Sequence, residues 1–321
     1  MEYIIGIDSG GTYYRVQAES LDGKVLGKYV GNSASHYSLP EAEVRARINH
    51  HIDQCLAVFR GKRDECRYIV CGTTGLDTEE DGIFLNELYG NLEGFCCPIV
   101  VKNDAEIAHY TITNGTGILV ISGTGSIAFG INRKGEAGRV GGWAFSIMGE
   151  EGSGTWVTRK ALRYLADCFD KVAEETLLAD CIKKELDIRT AKDLTDYSAF
   201  LMKNKNGKKS LGEIVDQAAE QGDKNAEKIL KAAARETFTL TDHLIHTLKM
   251  QDDPEITVGI WGSNIVRSRI HSREFERLVK EKYPQAVVKK PMEDAVDGAV
   301  RMARQLYKEL YTALEAEAEA I

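Results

Sequence analysis

The same short pattern occurs twice in this chain, and a repeat of this kind narrows the fold more than any single motif. Tyr3-Ile4-Ile5-Gly6-Ile7 is an apolar run with the length and β-branching of a buried strand. It breaks into Asp8-Ser9-Gly10-Gly11-Thr12, resumes as a second strand, and turns at Asp22-Gly23. More than a hundred residues later Ile118-Leu119-Val120-Ile121 does the same: it breaks into Ser122-Gly123-Thr124-Gly125-Ser126, continues as a strand from Ile127 to Ile131, and turns at Lys134-Gly135. Two copies of strand, Gly-Ser/Thr loop, strand and hairpin imply an internal duplication. Glycine removes the Cβ, so backbone N–H groups in such a loop can approach an anion. One such loop is equally an ordinary tight hairpin. Two can hold the two ends of a polyphosphate.

Further strands end in small or acidic residues. Tyr68–Cys71 leads to Gly72-Thr73-Thr74-Gly75, and 98–102 delivers Asn103-Asp104. The strand 256–260 opens into Trp261-Gly262-Ser263-Asn264. Ligands of open α/β sheets sit beyond the carboxyl ends of the strands, so Asp104 is placed for chemistry. Val44, Ile48, Ile52, Cys55, Leu56 and Phe59 recur at helical spacing behind Ser38-Leu39-Pro40-Glu41, which has the form of a capping box. Helices are expected after Asp77, over 155–169, through most of 171–250, from Ser272, and over 294–311, with an alternating Glu/Ala tail at 314–321.

Length and composition set bounds. A chain of 321 residues suggests two domains. No apolar run approaches the ~20 residues that span a bilayer, and the sequence enters a strand by Tyr3, which leaves no room for a signal peptide. Seven cysteines without a C-x-x-C pair argue against a disulfide scaffold or structural zinc. The adjacent Cys96 and Cys97 read as strand residues, with a redox-sensitive pair as the alternative. These features point to the cytoplasm. The net charge of −8 argues against nucleic acid or an anionic membrane as partner. The basic run 203–209 contains Asn and Gly and reads as a solvated turn. His50-His51 and His243 with His246 read as surface or interface residues, since no carboxylate or cysteine completes a metal set.

Together, Asp8-Ser9-Gly10-Gly11-Thr12, the 120–126 segment, Gly141-Gly142-Trp143 and Met148-Gly149-Glu150-Glu151-Gly152-Ser153 resemble the N-acetylglucosamine kinases of the BadF/BadG/BcrA/BcrD ATPase family, within the hexokinase/actin-like ATPases. The likeness runs from Ile4 to about Ala303. It implies an α/β fold of two duplicated ribonuclease-H-like domains with a central ATP cleft. The first domain is expected at 1–112, with a C-terminal helix at 304–321 packing back on it, and the second at 113–303 with a helical insertion. The segment 291–303 resembles the family's hinge helix.

The residues themselves support some roles, and the resemblance supplies others. A carboxylate beside a phosphate site is repulsive unless a cation lies between them, so Asp8 reads as a Mg²⁺ holder through water, or alternatively as a turn-capping residue. Asp104, followed by Ala105 as in the family motif, corresponds to the catalytic base; as a residue type it is equally a helix N-cap. Gly10, Gly11, Thr12, Gly123, Thr124 and Gly125 would bind the phosphates of ATP. Gly262 and Ser263 resemble the family's adenosine motif, and a plain strand-to-helix turn is the alternative. The resemblance places Ser35, His36, Thr74, Gly75, Gly142, Trp143 and Glu150, together with Asp104, at the sugar; for Trp143 the alternative is a core position.

The implied activity is an ATP- and Mg²⁺-dependent sugar kinase acting on the 6-hydroxyl of an amino sugar such as N-acetylglucosamine, in a homodimer. Two rivals share the fold. An ATPase activator of a radical dehydratase or reductase would hold an iron–sulfur cluster by cysteines near the loops, where this sequence has none. A non-catalytic sugar sensor would carry an added DNA-binding segment and could dispense with Asp104.

Overall fold

The computed structural model describes residues 1–76, 78–143, 149–203 and 210–319, and the chain divides into two compact units, 1–115 with 291–321 and 116–290. The first contains β1 (Tyr3–Ser9), β2 (Tyr13–Ser20), β3 (Val25–Asn32), α1 (Glu41–Phe59), β4 (Cys66–Thr73), α2 (Glu79–Gly90), β5 (Ile99–Asn103) and α3 (Asp104–Thr113). The second contains β6 (Gly117–Ser122), β7 (Ser126–Ile131), β8 (Ala137–Gly141), α4 (Gly154–Phe169), α5 (Leu177–Leu186), α6 (Ala191–Lys203), α7 (Gly212–Glu220), α8 (Lys224–Thr247), β9 (Ile256–Trp261), α9 (Ser263–Val266), α10 (Arg269–Lys282) and β10 (Ala286–Lys289). The chain then returns to the first unit as α11 (Ala295–Glu319).

The duplication is visible in the sheets. The first runs β3-β2-β1-β4-β5, with β1, β2 and β3 antiparallel and β1, β4 and β5 parallel. The second runs β8-β7-β6-β9-β10 with the same pattern of directions. Both hairpins turn where glycine supplies a left-handed residue: Gly23 at φ +96° and Gly135 at φ +80°.

Every residue of β1 is buried, as expected for a strand covered on both faces. On one face Ile5 and Ile7 join Val16, Ile69 and Cys71 against Val44, Ile48, Ile52 and Leu56 of α1 and Leu85, Leu88 and Tyr89 of α2. Each such side chain contributes about 1.5–3 kcal/mol by leaving water. On the other face α11 lies so close that a Cβ on Gly6 would overlap the backbone of Val300. A Cβ on Gly298 would likewise overlap Thr111 and the carbonyl of Ile107 in α3. Polar contacts fix the helix: Arg304 pairs with the buried Glu19, which also accepts a hydrogen bond from Gln17 at 2.7 Å, and Arg301 donates to the Thr111 carbonyl at 2.7 Å. The segment 291–303, expected with the second domain, thus belongs to the first unit, and from Ala295 it forms one continuous helix with the residues after it.

In the second unit the sheet packs Val120, Val258 and Ile260 against Leu244 and Ile245 of α8 and Phe275 and Val279 of α10. The helical region between β8 and β9 has its own core, built from Trp156, Leu165, Leu178, Ile182, Val215 and Leu230. A buried polar chain runs beneath it. Ser268 caps α10, accepting the His271 N–H at 3.2 Å, while its hydroxyl donates to Asp216 at 2.5 Å. His271 meets the Thr237 hydroxyl at 3.1 Å.

Several local expectations are corrected. The N-cap of α1 is Pro40, without a side-chain cap, while the Ser38 hydroxyl donates to the Ser35 carbonyl; proline's fixed φ starts the helix without the box. Cys96 and Cys97 lie outside any strand, and both are free thiols. His51 is a core residue, 5% exposed, whose Nε2 lies 2.9 Å from the Asn32 carbonyl and whose ring packs on Tyr14 and Tyr29. The neighbouring His50 and Ile52 do not reveal in the sequence whether the face that carries His51 is buried.

Two predictions come from this packing. Gly298→Ala should destabilise the protein by about 1–3 kcal/mol, the usual result of overpacking, read as a lowered urea midpoint. The second concerns pH. Burial pushes the His271 imidazole down to about 3 from 6.5, so the folded state stays unprotonated where the unfolded chain takes up a proton. Its contribution is complete above pH 6.5 and is lost as pH falls, by about 2 kcal/mol at pH 5. Asp216 opposes it, because burial pushes its carboxyl up to about 6 and folding there favours the protonated form, a contribution lost as pH rises from 4 to 6. His271→Gln should therefore lose less stability between pH 7 and pH 5 than the wild type, measured by urea unfolding at both.

Candidate active site

In the first unit, three parallel strands end level with one another: Ser9 pairs with Thr73, and Thr73 with Asn103. Whatever follows each strand therefore emerges at one edge of the sheet. Asp8, one residue before the end of β1, is 8% exposed and lies opposite Arg15 on β2, whose guanidinium donates to its Oδ2 at 3.0 Å. Burial raises the Asp8 carboxyl above its ordinary value against the opposing pull of Arg15, and Asp294 pushes it further in the same direction. A carboxylate held so nearly dry gains from a second positive charge. The loop beyond it closes through the Gly10 N–H to the Tyr13 carbonyl at 2.9 Å, and Ser33 secures it by donating to the carbonyls of Gly10 and Thr12. Gly11 and Thr12 are exposed, and nothing crowds the Cβ position of Gly11.

The next loop is tied to the first. Thr74 donates its N–H to the Ser9 carbonyl at 3.0 Å. Gly75 needs its φ of +84°, and a Cβ there would overlap the ring of Tyr37. His36 stacks on Tyr37 at 4.2 Å and on Phe84 at 5.4 Å, with Nε2 4.0 Å from Asp81. Ser35 accepts the Tyr37 N–H at 3.3 Å. Ser35, His36, Thr74 and Gly75 thus form one small wall.

At the third strand end the capping question is resolved. Asn103 is the N-cap of α3: its side chain accepts the Ala105 N–H at 2.9 Å, and Glu106 returns a bond to the Asn103 N–H at 3.1 Å. Asp104 is therefore the first residue of the helix, where the helix dipole favours a negative charge. The Asn103 amide also donates to the Leu76 carbonyl at 3.2 Å, joining the Thr74–Gly75 loop to the base of α3.

In the second unit the Gly123–Gly125 loop closes by the Gly123 N–H to the Gly125 carbonyl at 2.9 Å. The start of α4 clasps it, because the N–H groups of Gly154 and Thr155 donate to the carbonyls of Gly123 and Thr124. Gly262, at φ +91°, crosses so near β6 that a Cβ would sit 2.5 Å from the Ser122 carbonyl. The amide of Asn264 then bridges the Ser122 hydroxyl at 2.9 Å and the Gly152 carbonyl at 3.1 Å. These bonds unite the Gly123 loop, the Gly152 turn and the Gly262 turn, the last two from distant parts of the chain.

Ser122 and Asn264 were not singled out from the sequence, although Asn264 stands directly after the Gly-Ser pair. Ser210 and Gly212 also reach this cluster; a Cβ on Gly212 would lie 3.1 Å from the Asn264 Oδ1.

Glu150 is held by the backbone of the loop. Its carboxylate accepts the Ser126 N–H at 2.5 Å, so it lies against the Gly125–Ser126 end of the loop. Gly142, at φ +71°, packs beside Ile127. Trp143 is 60% exposed with Arg139 over its ring at 5.2 Å, which excludes a core role. The motif residue Met148 lies outside the described residues. No helix among the described residues is long and apolar enough to cross a membrane.

Known proteins share this architecture. The chain is 34% identical to the N-acetylmuramic acid/N-acetylglucosamine kinase of Clostridium acetobutylicum, across 95% of this chain and 99% of that one. It is 28% identical to the N-acetyl-D-glucosamine kinase of Dictyostelium discoideum, across 94% and 98%. In fold it is similar to a candidate N-acetylglucosamine kinase from Chromobacterium violaceum, with a TM-score of 0.72, 18% identity and coverage of 94% and 99%. The model of one ATPase family matches residues 5–300, nearly the whole length. The chain is a member of the BadF/BadG/BcrA/BcrD ATPase family.

Proposed function

We propose that this protein is an ATP-dependent sugar kinase that transfers the γ-phosphate to the 6-hydroxyl of an amino sugar, N-acetylglucosamine or its lactyl ether N-acetylmuramic acid. The observation that carries the reading is the position of Asp104, at the first turn of α3 and level with the ends of β1 and β4, while Asn103 does the capping. The kinase names of two relatives matched over nearly their full lengths support it. ATP as phosphoryl donor points to the cytoplasm.

In this reading each glycine-threonine loop offers backbone N–H groups and a hydroxyl, from Thr12 or Thr124, to phosphate oxygens. Such preset donors neutralise charge without reorganising during the reaction. Gly262 and Ser263, with Asn264 behind them, receive the adenosine on a surface free of bulk. The wall of Ser35, His36, Thr74 and Gly75 orients the sugar. Asp104 accepts the proton of the 6-hydroxyl as its oxygen bonds to the γ-phosphorus and the bridging bond to the β-phosphate breaks, releasing ADP. Mg²⁺ fits the residues present: it keeps most of its waters and needs one or two carboxylates besides the nucleotide, and Asp8 is a nearly dry carboxylate with a single cationic neighbour. When bound, it would offset charge on the phosphates.

The test is ADP release from Mg-ATP with N-acetylglucosamine, N-acetylmuramic acid, glucosamine, N-acetylmannosamine and glucose, repeated with Asp104→Asn. Turnover on an amino sugar that falls by about 10²–10⁴ in the variant, with the KM for ATP little changed, is expected for a lost general base. Hydrolysis of ATP indifferent to sugar would overturn the reading and favour an ATPase activator.

A further inference from the structure

The position of Glu150 goes beyond this assignment. In sequence it lies beyond the Gly141-Gly142-Trp143 motif, yet it reaches back to the Gly125–Ser126 segment, where its carboxylate takes the Ser126 N–H at 2.5 Å. Its Oε2 also fills the space beside Gly125, where a Cβ would overlap it. The residue does this from a left-handed backbone, φ +75°, which a side chain such as glutamate rarely adopts. The turn is fixed by the Ser153 N–H donating to the Glu150 carbonyl at 3.1 Å and by the Ser126 hydroxyl donating to the Glu151 carbonyl at 2.8 Å. A carboxylate oxygen on a backbone N–H in a glycine loop presents the charge and acceptor that a phosphate would present there.

We infer that Glu150 is an internal anion occupying part of the phosphate seat of the Gly123–Ser126 loop, so that an incoming nucleotide must displace it. The inference rests on the kinase reading, in which this loop receives phosphate oxygens. Displacement frees the Glu150 carboxylate from Ser126, so nucleotide binding and the position of that carboxylate are mutually exclusive at this N–H. Gly125 is required because any larger residue would take the space the carboxylate uses. Glu150 is thus a positioning residue that holds the empty loop in its closed form and lowers its affinity for nucleotide.

The test is direct ADP binding by calorimetry, without sugar, to the wild-type chain, Glu150→Gln and Glu150→Asn. Glu150→Gln keeps the shape and removes the competing charge, and should bind ADP about tenfold more tightly, the difference between a charged and a neutral acceptor on one N–H. A tightening is not what structural damage produces. Equal or weaker binding by both variants overturns the inference and leaves the nucleotide reading standing; no binding by any of the three overturns both. The amide resonance of Ser126 in the wild-type chain provides a second measurement. It should be shifted strongly downfield without ligand and move on ADP addition, and the same amide position with and without ADP would overturn the displacement.

Discussion

Strands buried on both faces can present polar groups only at their ends, and this constraint determines where the chemistry of the molecule sits. β1 has no exposed residue, and Ile118, Leu119 and Val120 of β6 are fully buried. Their parallel neighbours end at the same level, so Asp8, Thr74 and Asp104 in one unit emerge together, as do Ser122 and Gly262 in the other. The buried polar groups at those ends need partners. The bonds that satisfy them, Thr74 to Ser9, Asn103 to Leu76 and Asn264 to Ser122, are the ones that join successive loops.

Much of this was legible in the sequence because it rests on local pattern. The two strand-loop-strand copies, the Gly23 and Gly135 turns and the helix after Ser153 follow from periodicity and from residues with limited backbone choices. What was not legible depends on partners far along the chain. Asn264 acquires its role only because Gly262 brings β9 close against β6, and His51 is buried because Tyr14 and Tyr29 close over it. The carboxylate of Glu150 could be read as a sugar ligand from its motif, whereas its bond to Ser126 needs the folded turn.

The two copies have diverged in what surrounds an identical frame. The loop after β1 is secured by Ser33 and leaves Gly11 open, with the acid, Asp8, behind it on the strand. The loop after β6 is clasped by the first residues of α4 and carries its acid, Glu150, in front. The same backbone device therefore carries a buried acid on its strand in one copy and an acid on its own loop N–H in the other.

The course of the chain has a consequence for its synthesis. The first unit is discontinuous, because the face of β1 that holds Gly6 is covered by α11, near Val300. The second is one uninterrupted segment, 116–290. As domains fold in the order in which their residues leave the ribosome, the later segment can close while the earlier one still waits for its last helix. During that interval Ile4, Gly6 and their neighbours on β4 face water. The amino-terminal half of the molecule is thus made first and completed last, and it is the part most exposed to chaperones and proteases while the chain is being born.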